Sequence, residues 1–362
     1  MDDELQIDGD VPLAPLTTLG VGGAAELFCS VGSEGALIDA LDFARMNELP
    51  ITLLGGGSNV IVPDAGVRGL VLHVALRGIA ERVAAPERVL LTAAAGEPWD
   101  EVVARSVADG LAGLEALSGI PGLTGATPVQ NVGAYGQEVA DTIASVRVVD
   151  RLSGALRELA PVECGFAYRS SIFKTTAAGR YVVVAVTFAL RRGLAAPARY
   201  GELSRALGTD QPAPLAHVRD TVLTLRRAKS MVLAPPGTAE RVENARSAGS
   251  FFTNPIVRAA QAAHVIDTAL RANLGRRADD IPRWAEPDGR VKLAAGWLVE
   301  NSGFAKGTRR GAVGLSTRHA LALVCHEGAT TRALLALADE VRDAVHARFG
   351  VVLEREPVLL GT

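Results

Sequence analysis

An α+β protein with more than one domain is what this sequence predicts, on three observations. Stretches with helical spacing of apolar residues alternate with short apolar runs of strand type through the first third of the chain. The 362 residues are more than one hydrophobic core ordinarily serves. A passage rich in Pro, Ala and Gly at 191–215 interrupts the pattern, and the chain then closes as strand, helix, strand.

Each element has its own justification. AAELFCSV (24–31) reads as strand, EGALIDALDFARMNEL (34–49) as an amphipathic helix, and ITLL (51–54) as the strand after it. GLVLHV (69–74) and VLLTAAAG (89–96) are further strands. PWDEVVARSVADG (98–110) opens on proline, places acids in its first turn and stops at glycine, which bounds a helix. GLEALSGIPGLTGATPVQNVGAYGQEV (113–139) has too many breakers for a helix and too few charges for a disordered linker. ASVRVVD (144–150) and YVVVAVTFAL (181–190) return to strands. Beyond the interruption come a helix ending near Lys229 and Ser230, one over 258–272 and a third over KLAAGWLVENSG (292–303). HALALVCHEG (319–328) as strand, TTRALLALADEVRDAVHARFG (330–350) as helix and VVLEREPVLLG (351–361) as strand complete the chain.

Composition excludes several classes of function. A net charge of −3 with scattered basic residues gives no electrostatic footprint for nucleic acid. Cys29, Cys164 and Cys325 are far apart and form no CxxC, a pattern of reduced thiols rather than of a disulfide frame or zinc site. The acidic start MDDELQIDGD is no signal peptide, and the longest apolar run, Tyr181 to Leu190, is about half a bilayer span. A soluble cytoplasmic protein without a membrane partner is expected. The six histidines show no HExxH or other metal spacing, so no catalytic metal is expected.

The glycines carry the first chemistry. GGGSN (Gly55, Gly56, Gly57, Ser58, Asn59) lies between two apolar runs that both favour strand. It suits a tight hairpin turn, or a nest of converging N–H groups that cradles phosphate, with Ser58 and Asn59 adding side-chain donors. A dinucleotide fingerprint of the dehydrogenase type is another possibility, since GxGxxA occurs at Gly20, Gly22 and Ala25 with Asp39 and Asp42 downstream. That fingerprint needs a helix directly after it, whereas AAELFCSV reads as strand. No GK[ST] follows any glycine cluster, which removes the Walker alternative. A second cluster, SGIPGLTGATPVQNVGAYGQE, repeats small residues at Gly119, Gly122, Gly125, Gly133 and Gly136. Thr124, Thr127, Gln130, Asn131 and Tyr135 stand between them, with Ala134 beside the last. Bare backbone with hydrogen-bonding groups around it suits a flat cofactor with a polar rim.

TTLGVGGAAE, LGGGSNVIVPD and SGIPGLTGATPVQNVGAYGQEV together resemble the flavin-binding half of UDP-N-acetylenolpyruvoylglucosamine reductases. The resemblance runs from about residue 15 to 361 and implies the vanillyl-alcohol-oxidase type of FAD-binding fold. FAD-binding subdomains at 1–80 and 81–195 would precede a smaller α+β substrate domain at 196–362. It implies that GGGSN holds the FAD pyrophosphate and that the second cluster, from Gly119 to Gly136, lines the rest of the flavin.

Three further motifs fit the resemblance. An Arg among aromatics, as Arg169 is in FAYRSSIFK, is usually a surface stacker; the match to YRxSxFK implies a fixed cation for a carboxylate or developing enolate. Ser250, in AGSFFTNP, has no GxSxG elbow around it, and the resemblance implies that it protonates carbon. Glu354 and Glu356 sit at strand spacing and so share a face if LEREPVLLG is a strand. The resemblance falls on Glu356, which in protonated form would act with Arg169 on the substrate carboxylate and enol. Some relatives carry an arginine where this chain has Val358, a departure from the family pattern at one substrate carboxylate or phosphate contact.

Softer matches imply substrate contacts. Tyr200 resembles the tyrosine of a closing loop, Arg226 and Lys229 the basic residues near the diphosphate, and Asn254 a diphosphate contact. Lys292 and Asn301 would contribute to the nucleotide pocket, and the stretch between Lys229 and Ser250 is longer than the family pattern. The implied activity is FAD-dependent reduction of UDP-N-acetylglucosamine enolpyruvate to UDP-N-acetylmuramate by NADPH, in peptidoglycan synthesis. A monomer binding only small molecules is expected. Another oxidoreductase on the same fold, or a flavin or UDP-sugar binding protein without catalysis, are the alternatives.

Overall fold

The computed structural model describes residues 5–198, 200–233 and 244–361. Their fold class is α+β, in two compact units that interleave along the chain. One comprises the described residues of Met1–Val11, Ala24–Gly57 and Val67–Leu233; the other comprises those of Pro12–Gly23, Ser58–Gly66 and Ala234–Thr362.

Among the described residues the first unit holds two larger sheets and the two-stranded pair of Gly133–Ala134 with Gln137–Glu138. In the smaller of the two larger sheets, strands run in the order Asp8–Pro12, Ala24–Val31, Val67–Val74, Ile51–Leu54, and the last three pair in parallel. The Val67–Val74 strand is an almost continuous apolar run because it is flanked by a parallel neighbour on each side. The Glu34–Met46 helix makes the crossover that parallel pairing requires. It begins at Ser33, whose hydroxyl accepts the Ala36 N–H at 3.1 Å, and it buries Leu37, Ala40, Leu41 and Ala44 in a core with Cys29, Val31, Leu70 and Leu72. Ser33→Ala is expected to cost about 1 kcal/mol through the lost cap, measured as a lower unfolding midpoint in urea.

The larger sheet runs Leu156–Leu159, Ile143–Asp150, Tyr181–Arg192, Arg88–Ala94, Ile79–Ala85, all antiparallel. The Trp99–Ala108 helix packs Trp99, Val102 and Val103 into its core, with the Trp99 ring 5.6 Å from that of Phe188. The Leu215–Ala228 helix buries Leu215, Val218 and Val222 with Ala112 and Ala116. Residues 201–228 therefore pack with the first unit, although the change of composition before them sets the expected substrate domain at 196. An apolar helix face goes where a complementary face exists, whatever the composition of the loop that leads to it.

The second unit has a sheet in the order Ser247–Ser250, Ala322–Cys325, Val313–Leu315, Arg309–Arg310. A three-stranded sheet joins Ile256–Val257, Val291–Leu293 and Arg283–Ala285, and Val60–Ile61 pairs in parallel with Val358–Leu359. The Thr331–Phe349 helix, capped by Thr330, buries Leu334, Leu337, Val341, Val345 and Phe349 in one core with the Ala259–Arg271 and Ala295–Glu300 helices.

Two expectations are corrected here. Only Ala295–Glu300 of KLAAGWLVENSG is helical; Val291–Leu293 is a strand because Ile256 and Arg283 offer it backbone on both sides. The closing segment is not one strand: Arg355 makes an isolated bridge to Phe252, and a ladder resumes only at Val358–Leu359, after Pro357. Glu354 is accordingly exposed while Glu356 is half-buried, so the two carboxylates do not share an environment. All three cysteines are buried free thiols, and burial pushes Cys164 and Cys325 up to about 11. Among the described residues no helix is long and apolar enough to cross a membrane.

Candidate functional site

The strands on either side of GGGSN belong to different sheets. Ile51–Leu54 pairs in parallel with Val67–Val74, and Val60–Ile61 pairs in parallel with Val358–Leu359. The stretch is therefore not a hairpin turn. The dehydrogenase fingerprint is excluded as well, because Gly20 and Gly22 are followed by the strand Ala24–Val31 and not by a helix. Gly22 and Gly23 instead allow close approach to Val62 and to the Asp64–Gly66 turn, where a Cβ would collide.

In the first unit the two glycine clusters meet. A Cβ on Gly56 would lie 2.9 Å from Gly122 Cα and 3.2 Å from Leu123 Cγ, so backbone packs on backbone. A Cβ on Gly125 would lie 2.5 Å from that of Ala95, and the Gly125 N–H donates to the Ala95 carbonyl at 2.9 Å. Gly57 and Gly122 have φ of +63° and +112°, open to glycine at no steric cost. At these glycines the loops Gly55–Gly57 and Gly119–Gly125 form one closely packed wall of bare backbone.

The rest of the cluster divides by role. Thr127 is buried, and its hydroxyl donates to the Thr124 carbonyl at 2.8 Å. Asn131 is 1% exposed; its amide donates to Glu138 at 2.6 Å and to the Ala167 carbonyl, and its Oδ1 accepts the Ala140 N–H. These two shape the loop from within. Gln130 is half-buried; Gly133 and Ala134 pair with Glu138 and Gln137 in a short hairpin closed by Tyr135 and Gly136, both at positive φ. Arg169 packs on this hairpin: its Nη2 donates to the Gly133 carbonyl at 2.8 Å, and its guanidinium lies 5.5 Å from the Tyr168 ring centre. The backbone of Arg169 is itself at φ 52°, a strained conformation of the kind that collects at functional positions.

A polar cluster lies beside these loops. Lys229, at the C-terminus of the Leu215–Ala228 helix, pairs with Glu202 at 2.7 Å and lies 5.8 Å from the Tyr135 ring centre. Tyr200 stands edge-on to Tyr135 at 5.9 Å. Burial raises the Tyr135 hydroxyl to about 12, and Glu202 and Tyr200 add to that against the pull of Arg226. Arg226 is 6% exposed, donates to the Met231 carbonyl at 3.0 Å and would lie 3.3 Å from a Cβ on Gly119, so it sits directly behind the second glycine loop.

Asp100 and Arg219 escaped sequence reasoning. Asp100 accepts the Gly119 N–H at 2.6 Å and a two-pronged pair from Arg219 at 2.7 and 2.9 Å, across 119 positions of chain. Burial favours the neutral acid, yet Arg219 and the Gly119 N–H together hold Asp100 below the ordinary carboxylate value of 3.8. A lowered folded pKa contributes stability that is complete above 3.8 and is lost as pH falls through the folded value. Asp100→Asn is thus expected to flatten the acid limb of an unfolding-midpoint profile below pH 4, leaving its shape at neutral pH unchanged. An acid limb identical to that of the unmodified protein counts against the pair.

In the second unit Ser250 and Glu356 are brought together. Ser250 ends the Ser247–Ser250 strand opposite Ala322. The carbonyl of the next residue, Phe251, accepts the Glu356 N–H at 2.9 Å, and Thr253 N–H donates to the Glu354 carbonyl at 3.0 Å. Asn254 uses its Oδ1 to accept the Ala295 N–H at 2.9 Å, which caps the following helix. Lys292 pairs with Glu286 at 2.9 Å, and Asn301 donates to the Trp297 carbonyl at 2.8 Å. Arg246 binds the TTLGVGG segment, donating to the Leu19, Gly20 and His326 carbonyls, while the Thr18 hydroxyl donates to the Ser58 carbonyl at 3.3 Å. Residues 234–243, where the long stretch between Lys229 and Ser250 is expected, lie outside the described residues.

Comparison with known proteins gives one consistent result. A family described as "UDP-N-acetylenolpyruvoylglucosamine reductase, C-terminal domain" matches residues 240–360, and one described as "FAD binding domain" matches residues 25–160. The UDP-N-acetylenolpyruvoylglucosamine reductase of Thermobifida fusca is 49% identical, over 97% of each chain. That of Streptomyces coelicolor is 46% identical over 97% of this chain and 90% of its own. The crystal structure of a UDP-N-acetylenolpyruvylglucosamine reductase from Thermus caldophilus has a TM-score of 0.63 at 24% identity, covering 98% of this chain and 99% of its own, which shows the shared fold. With full-length similarity at this level, the glycine loops and the Ser250–Glu356 pair are features of a chain that belongs to the UDP-N-acetylenolpyruvoylglucosamine reductase family.

Proposed function

We propose that the protein reduces the enolpyruvyl ether of UDP-N-acetylglucosamine to the lactyl ether, UDP-N-acetylmuramate, with FAD as its cofactor and NADPH as reductant. The step belongs to peptidoglycan biosynthesis, and the protein acts as a cytoplasmic monomer. The reading is carried by the backbone approach of Gly56 to Gly122 within a chain of this family. Such a bare wall fits FAD, whose pyrophosphate the N–H groups of Gly55–Ser58 would hold while Gly119–Gly136 line the remainder. Bound there, FAD would supply the two-electron hydride chemistry that links NADPH to C3 of the enolpyruvyl group.

The chain's own residues handle charge and protons. Addition at C3 places negative charge on the enolate conjugated with the substrate carboxylate. Arg169 supplies a fixed cation to that anion, oriented by its bonds to the Gly133 and Asn131 carbonyls. Glu356, as the neutral acid, donates to the developing enolate oxygen. Ser250 then delivers the proton to C2, completing the lactyl group. Tyr200 closes over the substrate, Arg226, Lys229 and Asn254 serve the diphosphate, and Lys292 and Asn301 the nucleotide. The salt bridges of Lys229 to Glu202 and Lys292 to Glu286 must be shared or exchanged for that role.

The test is a pair of half-reactions in the absence of oxygen. NADPH is expected to bleach the flavin, and the enolpyruvyl UDP-sugar to restore its absorbance rapidly. A flavin that is reduced but not reoxidised by this substrate points to another acceptor, and absence of flavin overturns the cradle.

A further inference from the structure

We propose that Asn59 is a positioning residue for Glu356: the last side chain of GGGSN holds the carbonyl of the acid, rather than serving as a phosphate donor. The inference rests on the role given to Glu356 above. Asn59 Nδ2 donates to the Glu356 carbonyl at 3.3 Å, and the Asn59 carbonyl accepts the Val358 N–H at 3.1 Å. Together these contacts grip both ends of the Glu356–Val358 segment, 297 positions away in sequence.

The need for such a grip follows from the local backbone. Regular pairing lapses between the Arg355 bridge and the Val358–Leu359 ladder, and Pro357 contributes no N–H. Glu356 is thus held by its own N–H to the Phe251 carbonyl on one side and by Asn59 on the other. The first bond sets Glu356 relative to Ser250, which precedes Phe251; the second keeps the peptide plane after Glu356 from turning. Without the side-chain bond the backbone bonds of Glu356 to Phe251 and of Val358 to Asn59 remain, and the peptide between them gains rotational freedom. Misplacement by about 1 Å is enough to lower a rate about 10²-fold. Phosphate recognition does not need this amide, because the N–H groups of a glycine nest suffice for an anion.

Asn59→Asp keeps the size of the side chain and removes the donor; Asn59→Ala removes both and guards against an effect of the added charge. Hydrogen exchange is measured first on the protein freed of flavin. Both variants are expected to exchange the amides of 356–360 several-fold faster than the unmodified chain, with the 331–349 helix unchanged. In the flavin-loaded proteins, reduction by NADPH is expected within about threefold of normal, and reoxidation by the enolpyruvyl UDP-sugar slowed about 10–100-fold. Glu356→Gln is run alongside. If it slows reoxidation while both Asn59 variants keep normal exchange and normal reoxidation, the positioning role is overturned and Glu356 stands. Normal reoxidation in Glu356→Gln removes the role of Glu356 itself, and the inference with it. Loss of flavin, or equal slowing of both half-reactions in the Asn59 variants, makes Asn59 a cofactor ligand and overturns the proposal.

Discussion

Ser250→Ala is expected to retain FAD and its reduction by NADPH at normal rates, and to slow reoxidation by the enolpyruvyl UDP-sugar about 10²–10³-fold, equivalent to about 3–4 kcal/mol of transition-state stabilisation. The argument is local. Ser250 terminates a strand whose partner is Ala322, so alanine keeps the backbone pairing and removes only the hydroxyl. The Phe251 carbonyl still receives the Glu356 N–H, and the acid stays in place. What is lost is the proton donor proposed for C2, which the proposed sequence needs only after hydride has reached C3. Stopped-flow traces of the two half-reactions separate the steps. Full-speed reoxidation in the variant removes Ser250 from the chemistry and shifts proton delivery to another group.

Gly56→Val is expected to weaken FAD binding about 10–100-fold with the fold of both units retained, read by titrating flavin into the stripped protein. The first added carbon would lie 2.9 Å from Gly122 Cα and 3.1 Å from the Gly122 carbonyl carbon, both backbone atoms that cannot swing aside. Overpacking of this kind costs about 1–3 kcal/mol, and here the strain falls on the two loops that form the wall. Gly32→Ala is the control: a Cβ there meets nothing within 4 Å, and neither stability nor flavin affinity is expected to move. Unchanged FAD affinity in Gly56→Val takes the cofactor away from GGGSN.

The expected and observed structures agree most closely where the deciding interactions are short in sequence. The Glu34–Met46, Trp99–Ala108 and Thr331–Phe349 helices lie within the expected spans, because their apolar spacing, caps and stops all act within a turn or two. The strands Val67–Val74, Ile143–Asp150 and Tyr181–Arg192 were legible as apolar runs for the same reason. Where a segment's state depends on a distant partner, the reading failed. KLAAGWLVENSG has helical composition throughout, but backbone from Ile256 and Arg283 draws its first residues into a sheet. VVLEREPVLLG has strand composition throughout, but only Val358 and Leu359 find a ladder, on Val60 and Ile61.

The same division runs through the site. By itself the sequence showed glycines clustered at 55–57 and 119–125 where backbone can approach closely, and the order of its motifs carried the resemblance that proposes Arg169, Ser250 and Glu356 as the reacting residues. A missing Cβ and the order of motifs are both visible in one dimension. Tertiary structure alone decided that Gly56 faces Gly122 and that Asp100 holds the Gly119 loop to Arg219. It also decided that residues 201–228 pack with the first unit and that Asn59 grips the Glu356 carbonyl. Each of these depends on which remote backbone or charge completes a hydrogen bond or an apolar face, and nothing within a few residues of either partner specifies the other.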